Sequence, residues 1–261
     1  MRIIQCGQGS PSIYLIVLAG EGKIEVDAIF WADTGSENDL ILNDDSHITG
    51  KGYFELITKP LAESYGLKAY IAKAIDKNGN DYPPLHKAQN LNGKISIDLP
   101  VFGSKGGKLR QACTKKWKSQ PADKLLRSLG VKEAVKYFGI TFEERHRCKL
   151  SPNRWQRFKY PLVEMRLHRQ QCQDELTKRN IPWLLSTQCD CCPHQDAIRW
   201  LRHSKDCLNE MINLEATWDD EFYFTKSKEP LDVSLDMMRE DLERGLSQSD
   251  FMACDNGECF T

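Results

Sequence analysis

Short apolar runs separated by glycine-rich turns dominate the first third of the chain. Ile3, Ile4 and Cys6 form a run too short for a helix and too apolar for a solvated strand, so it reads as a strand buried on both faces. Gly7, Gly9 and Ser10 follow as a turn. Pro11 and Ser12 then open a helix carrying Ile13, Leu15, Ile16 and Leu18. Residues 26–32 form a second buried strand, stopped by Asp33-Thr34-Gly35-Ser36-Glu37. Helical spacing over 53–65 ends at Gly66, and 67–75 alternate as a third strand. Strand, helix, strand, helix, strand predicts an α/β, doubly wound, mostly parallel sheet. The glycine turn and the acidic turn then share the sheet edge where such folds hold ligands.

From 76 to 107 the pattern dissolves into glycine and asparagine, which predicts either an active-site lid or a surface hairpin around Asn92-Gly93. Further on, the pattern predicts a helix entered at Pro121, a strand at 135–138, a helix over 167–179, another from about Asp196 and a last one over 234–246. The chain divides in this reading into an α/β domain, 1–135, with the loop 76–107, and a C-terminal, mainly helical, cysteine-containing subdomain, 136–261.

Composition narrows the class. With 40% hydrophobic and 28% charged residues, 261 residues suffice for a packed core. The net charge of −1 gives no global basic field, although 105–118 and 145–159 are locally basic. The first strand begins at residue 2, leaving no room for a signal peptide, and no apolar run approaches the roughly 20 residues of a membrane span. A cytoplasmic location without a membrane partner is the expectation. Ten cysteines are many for such a compartment. Cys189, Cys191 and Cys192 crowd together, and Cys254 and Cys259 lie near the end. Cys189 and Cys192 have the Cys-x-x-Cys spacing that sets two thiolates on one metal, and Pro193 follows as it does beside iron–sulfur clusters; a zinc knuckle uses the same thiolates. Cys6, Cys148, Cys172 and Cys207 read as small buried hydrophobes.

The ordered series of glycine loop, ADTGSE at 32–37, CTKKWKSQP at 113–121, GITFEERHR at 139–147, YPLVE at 160–164, CDCCP at 189–193 and the terminal cysteine pair resembles the adenine nucleotide α-hydrolase (PP-loop) superfamily. Within it the likeness is to the phosphoadenosine phosphosulfate reductase-like members of bacteria and phages, and it covers nearly the whole chain. The resemblance implies a Rossmann-like, HUP-type fold with a nucleotide site. Its phosphate loop matches Gly7, Gly9, Ser10 and Ser12, with Pro11 where the family carries an aspartate. Asp33, Thr34 and Gly35 match the Asp-Thr-Gly turn beside the nucleotide, and Glu37 is a magnesium or substrate contact by the same analogy. Arg110, Lys116 and Lys118 read either as a phosphate-neutralising group beside this site or as a solvated basic face, with Arg147 and Arg166 or Arg169 to complete the clamp.

The same resemblance implies a [4Fe-4S] cluster, with zinc as the alternative, on Cys113, Cys189, Cys192 and one terminal cysteine, Cys259 or Cys254. It implies ATP, or adenylyl sulfate, with Mg²⁺. Asp33, Lys118 and Cys259 are the catalytic candidates. Three functions follow as expectations. One is adenylylation of a substrate, a tRNA base or DNA, for sulfur insertion from a sulfur donor. Another is reduction of an adenylyl sulfate through Cys259 with a thioredoxin-type partner. The third is a nucleotide-binding sensor or interaction module. The compartment is the host cytoplasm for a phage-encoded member.

Overall fold

Ile4, Cys6, Ile29 and Trp31 join one apolar cluster while Ile3, Ala28 and Phe30 join another, so the strands that carry them need cover on both faces. In the computed structural model, which describes residues 1–76, 78–91 and 94–245, these strands belong to a sheet of five: β1 (Arg2–Cys6), β2 (Ala28–Asp33), β3 (Lys68–Lys73), β4 (Ala134–Phe138) and β5 (Gln156–Lys159). Their order is β5-β4-β1-β2-β3 and every pair is parallel. The chain is thus α/β with an all-parallel, Rossmann-like sheet.

One face is covered by helix Ser10–Gly20, buried along nine of its residues and packed between the sheet and Arg169–Lys178. Tyr53, Phe54 and Ala62 from the rod 50–64 cover the same face. Leu126 of helix Gln120–Ser128 covers the other. The rods 50–64 and 114–128 each contain a π-helical stretch, Phe54–Thr58 and Thr114–Ser119, directly before a segment with proline in its first turn, Pro60 and Pro121. The wider turn relieves the clash of the proline ring with the preceding turn, so helix continues where the sequence predicts an entry at Pro121.

β1 leads outward to β2 and β3, and the chain then returns to β4 on the other side of β1. The connections from β1 and β4 therefore diverge, opening a crevice beyond the ends of these two strands. β4 itself spans position 135, where the sequence reading divides the chain, and the sheet continues to β5.

Residues 76–107, as far as they are described, contribute apolar side chains to a second core. Leu85, Leu99, Val101 and Phe102 are buried, and the first three join Trp117, Cys189, Cys191, Trp200, Trp218 and Phe224 in a second apolar core. Phe102–Gly103 pairs with Phe222–Tyr223. Asn90–Leu91 pairs antiparallel with Lys94–Ile95, and the expected turn residues Asn92 and Gly93 lie outside the described residues. The second core thus joins 74–117 to 189–238. Helices Ala197–Arg202, Lys205–Ala216 and Leu231–Glu243 build its far side. No helix among the described residues is long and apolar enough to cross a membrane.

Candidate functional site

The β1 register brings Gln5 opposite Phe138 of β4 and Cys6 opposite Trp31 of β2, so the loops after β1 and β4 start side by side. Gly9 is the N-cap of helix Ser10–Gly20, accepting from the N–H groups of Ser12 at 2.8 Å and Ile13 at 3.1 Å. Gln8 sits at φ 61°, a left-handed conformation rare for a residue with a side chain. It is held there by its amide, which donates to the Gly50 carbonyl at 3.0 Å and accepts from Thr58 Oγ1 at 3.4 Å. Gly139, first after β4, meets this loop so closely that a Cβ on it would lie 2.7 Å from Ser12 N. Only a glycine lets the two loops touch.

Here a cavity of about 670 Å³ opens. Gly7, Gly9 and Ser12 form its floor at the helix N-terminus, where the dipole and backbone N–H groups favour an anion. Six basic side chains, Lys115, Lys118, Lys136, Arg147, Lys149 and Arg169, line it against three acidic ones, Glu37, Asp123 and Glu144, leaving an excess of positive charge. Asp123 is already engaged, accepting from Lys136 and Gln156 at 2.6 Å each. Arg147 pairs with Glu144 at 2.5 Å. The wall beyond is aromatic: Phe138 packs on Phe158 at 4.8 Å and on Tyr160 at 5.9 Å. The lining thus combines a helix N-terminus, basic side chains and aromatic rings.

Of the predicted nucleotide contacts, Gly7, Gly9, Ser12, Lys118 and Arg147 come together on this wall. Ser10, Asp33, Thr34, Gly35 and Arg110 are not among its lining residues. Ser10 Oγ is buried with no hydrogen-bond partner among the described residues, and Arg110 is exposed. Asp33 folds back to accept from Gly35 N at 2.8 Å, an Asx turn that sets Gly35 at φ 65° against Pro84.

The acidic turn serves instead as a hub. Thr34 Oγ1 lies 3.4 Å from Cys189 Sγ. Ser36 Oγ lies 2.7 Å from His86 Nδ1, whose Nε2 faces Glu210 at 3.0 Å. That Ser-His-Glu series has the atoms of a hydrolytic triad, but Ser36 is wholly buried. Glu37 faces both Lys118, at 3.6 Å, and Cys189, at 3.8 Å. It therefore links the cavity to the thiols.

Burial raises the Glu37 carboxyl above its ordinary range, against the pull of Lys118. Burial alone would lower Lys118, yet Cys189, Glu37, Cys113 and Cys192 around it raise it above the usual lysine value. Burial likewise pushes Cys189 up to about 12 and Cys113 upward, with Lys118 opposing both shifts. Cys113, Cys189 and Cys192 are all free thiols near Lys118, but among the described residues their sulfurs are not gathered within 4.8 Å of one another as the expected metal ligands would be. Cys254 and Cys259, the expected fourth ligands, lie outside the described residues.

Two features had no signal in the sequence. Gln8 looks like a spacer between glycines, and Asp39, which accepts from Ser204 N at 2.6 Å and faces His203 Nδ1 at 3.0 Å, belongs to no motif. No protein-family model matches the chain, and no curated protein matches it.

Proposed function

We propose that the protein is an ATP-dependent PP-loop enzyme that adenylylates a substrate, a nucleic-acid base or DNA, for sulfur insertion. The observation that carries this reading is the cavity in the crevice between β1 and β4, where a glycine loop at a helix N-terminus meets an excess of basic side chains. In this reading the triphosphate lies on Gly7 to Ser12 and the adenine against Phe138, Phe158 and Tyr160. A substrate oxygen attacks the α-phosphorus, pyrophosphate leaves, and a sulfur nucleophile then displaces AMP. Lys118 and Arg147 neutralise charge on the departing pyrophosphate. Arg147 exchanges its contact with Glu144 for a phosphate.

The expected ligands Cys113, Cys189 and Cys192 are free thiols near Lys118 whose sulfurs do not all lie within 4.8 Å of one another, so they would have to draw together and displace the ammonium to hold a metal group. With Cys259 or Cys254 as fourth ligand they would then hold an iron–sulfur cluster, which would supply a place to hold or deliver sulfur, or zinc, which would supply a structural tie. Magnesium, if held by Glu37, would add charge stabilisation.

Gly9→Asp tests the phosphate cradle without disturbing the fold. A Cβ at Gly9 has only ordinary contacts, 3.7 Å to Pro11 and to Thr187. The added carboxylate faces the phosphates. We expect an unchanged melting temperature and a loss of ATP affinity of about tenfold or more. Wild-type enzyme with ATP, magnesium and tRNA or DNA should form AMP. Sulfite release from an adenylyl sulfate would favour reduction through Cys259, ATP binding without product a sensor, and ATP binding untouched by Gly9→Asp would overturn the site.

A further inference from the structure

We infer that Asp39, His203 and Cys207 form a second metal site, for a single zinc-class divalent ion, that ties the acidic turn to the helices of the second core. The three residues come from separate elements. Asp39 ends the turn after β2, His203 is the C-cap of helix Ala197–Arg202, and Cys207 lies in the first turn of Lys205–Ala216. All are buried, and their ligand atoms lie within 4.8 Å of one another. This is the one such group of three among the described residues.

The spacing suits the ion. His203 Nδ1 stands 3.0 Å from Asp39 Oδ2 and 3.4 Å from Cys207 Sγ. Zinc bonds of about 2.0–2.2 Å to nitrogen and oxygen and about 2.3 Å to sulfur, set tetrahedrally, give edges of roughly 3.3 and 3.6 Å. A few tenths of an ångström of expansion admits the ion. Imidazole, thiolate and carboxylate together select a borderline metal over magnesium or calcium.

Hydrogen-bond accounting supplies the independent argument. The Gln195 amide nitrogen donates to the carbonyls of Asp190, at 2.7 Å, and Cys189, at 3.3 Å, so its orientation is fixed. Gln195 Oε1 therefore faces His203 Nε2, at 2.7 Å, and can only accept. Nε2 carries the hydrogen, and in the neutral ring Nδ1 presents a lone pair to a carboxylate oxygen. The Cys207 thiol, 3.4 Å from Nδ1, is the donor within reach of that lone pair, and an ion that displaces its proton would satisfy the imidazole, the thiolate and the carboxylate together. Each ligand also has an outer partner that aims it. Asp39 has His47 Nδ1 at 2.5 Å on Oδ1 and Ser204 N at 2.6 Å on Oδ2, His203 has Gln195, and the Cys207 backbone is capped by Ser204 Oγ at 3.3 Å. None of the three lines the cavity, so the ion would act as a staple, and Cys207 is more than a small buried hydrophobe.

The test is cobalt and zinc binding by the full chain, reduced and stripped with a chelator. Wild type should bind about one equivalent more Co²⁺ than Cys207→Ser, with a thiolate charge-transfer band that Cys189→Ser retains. Because the knuckle thiols can hold metal too, only the difference between wild type and Cys207→Ser reads this site. Gln195→Leu keeps every ligand but frees the ring, and should weaken this equivalent about 10- to 100-fold. Equal stoichiometry and spectra in wild type and Cys207→Ser would overturn the site and leave His203 and Asp39 joined by a proton alone. If Cys207→Ser fails to fold, unchanged affinity in Gln195→Leu overturns it instead.

Discussion

Replacing Gly139 by alanine tests the contact on which the cavity is built. The new Cβ would lie 2.7 Å from Ser12 N, 2.8 Å from Ser12 Oγ and 3.0 Å from the Pro11 carbonyl carbon. Carbon needs about 3.5 Å, so the neighbours must retreat by roughly 0.5–0.8 Å. Two of the three atoms are backbone, and helix Ser10–Gly20 is held by nine buried residues, so the glycine loop has to move. Overpacking of this kind costs about 1–3 kcal/mol. For a chain of this size that is a fall in melting temperature of roughly 2–10 °C. ATP affinity, read by calorimetric titration, should drop about tenfold as the cradle shifts. Gly106→Ala is the matched control, since nothing lies within 4 Å of its Cβ and both readouts should stay put. A Gly139→Ala protein with the melting temperature and affinity of wild type would refute the reasoning. A lower melting temperature with intact ATP binding would keep the packing argument and remove the phosphates from this loop.

Three further outcomes are expected. Burial lifts the Glu215 carboxyl from about 4.5 to about 7, although it accepts from Phe224 N at 2.7 Å and from Leu231 N. The folded state then holds a proton that the unfolded state releases, so this group's contribution, present below about pH 4.5, is lost as pH rises to 7; it amounts to at most about 3 kcal/mol. Urea midpoints of wild type and Glu215→Gln at pH 4.5 and 7.5 should differ by that component, and parallel pH profiles would count against it. Lys118→Met strands Glu37 in a buried site and removes a cation from the cavity. ATP affinity should fall about 10- to 100-fold, with stability recovered in part by adding Glu37→Gln; calorimetry and melting curves on both variants read the two effects separately. Purified without air, the knuckle cysteines should contribute either a broad visible absorption with about four irons or one zinc beyond that held by Asp39, His203 and Cys207, and Cys189→Ser should lose only that contribution. An unchanged metal content in that variant would remove Cys189 from the ligand set.

The elements built on continuous local signals were legible in the sequence. β1, the loop 7–12 and its helix follow from Ile3, Ile4, the glycines and Pro11, and the buried runs of β2 and β4 announce a parallel sheet. Lys118 and Arg147, from two separate motifs, both line the cavity. What was hidden depends on distant partners. Glycine and asparagine near residue 80 suggest a lid, and nothing local says that Leu85, Leu99 and Val101 meet Trp200 and Phe224. Asp33 sits in a motif that points at a nucleotide, yet its carboxylate satisfies Gly35 N. Asp39 and His203 are 164 positions apart, a separation no spacing rule covers.

The second core has a consequence for biosynthesis. Its first half, 74–117, leaves the ribosome long before 189–238, the half that buries it. At synthesis rates of about 5–20 residues per second, the roughly seventy residues between them take on the order of 4–14 s. During that interval the sheet can assemble as far as β5, while Leu85, Leu99, Val101 and Trp117 wait without their cover. The nascent chain therefore passes through a stage with a finished parallel-sheet layer and an open apolar flank, a natural hand-hold for a chaperone.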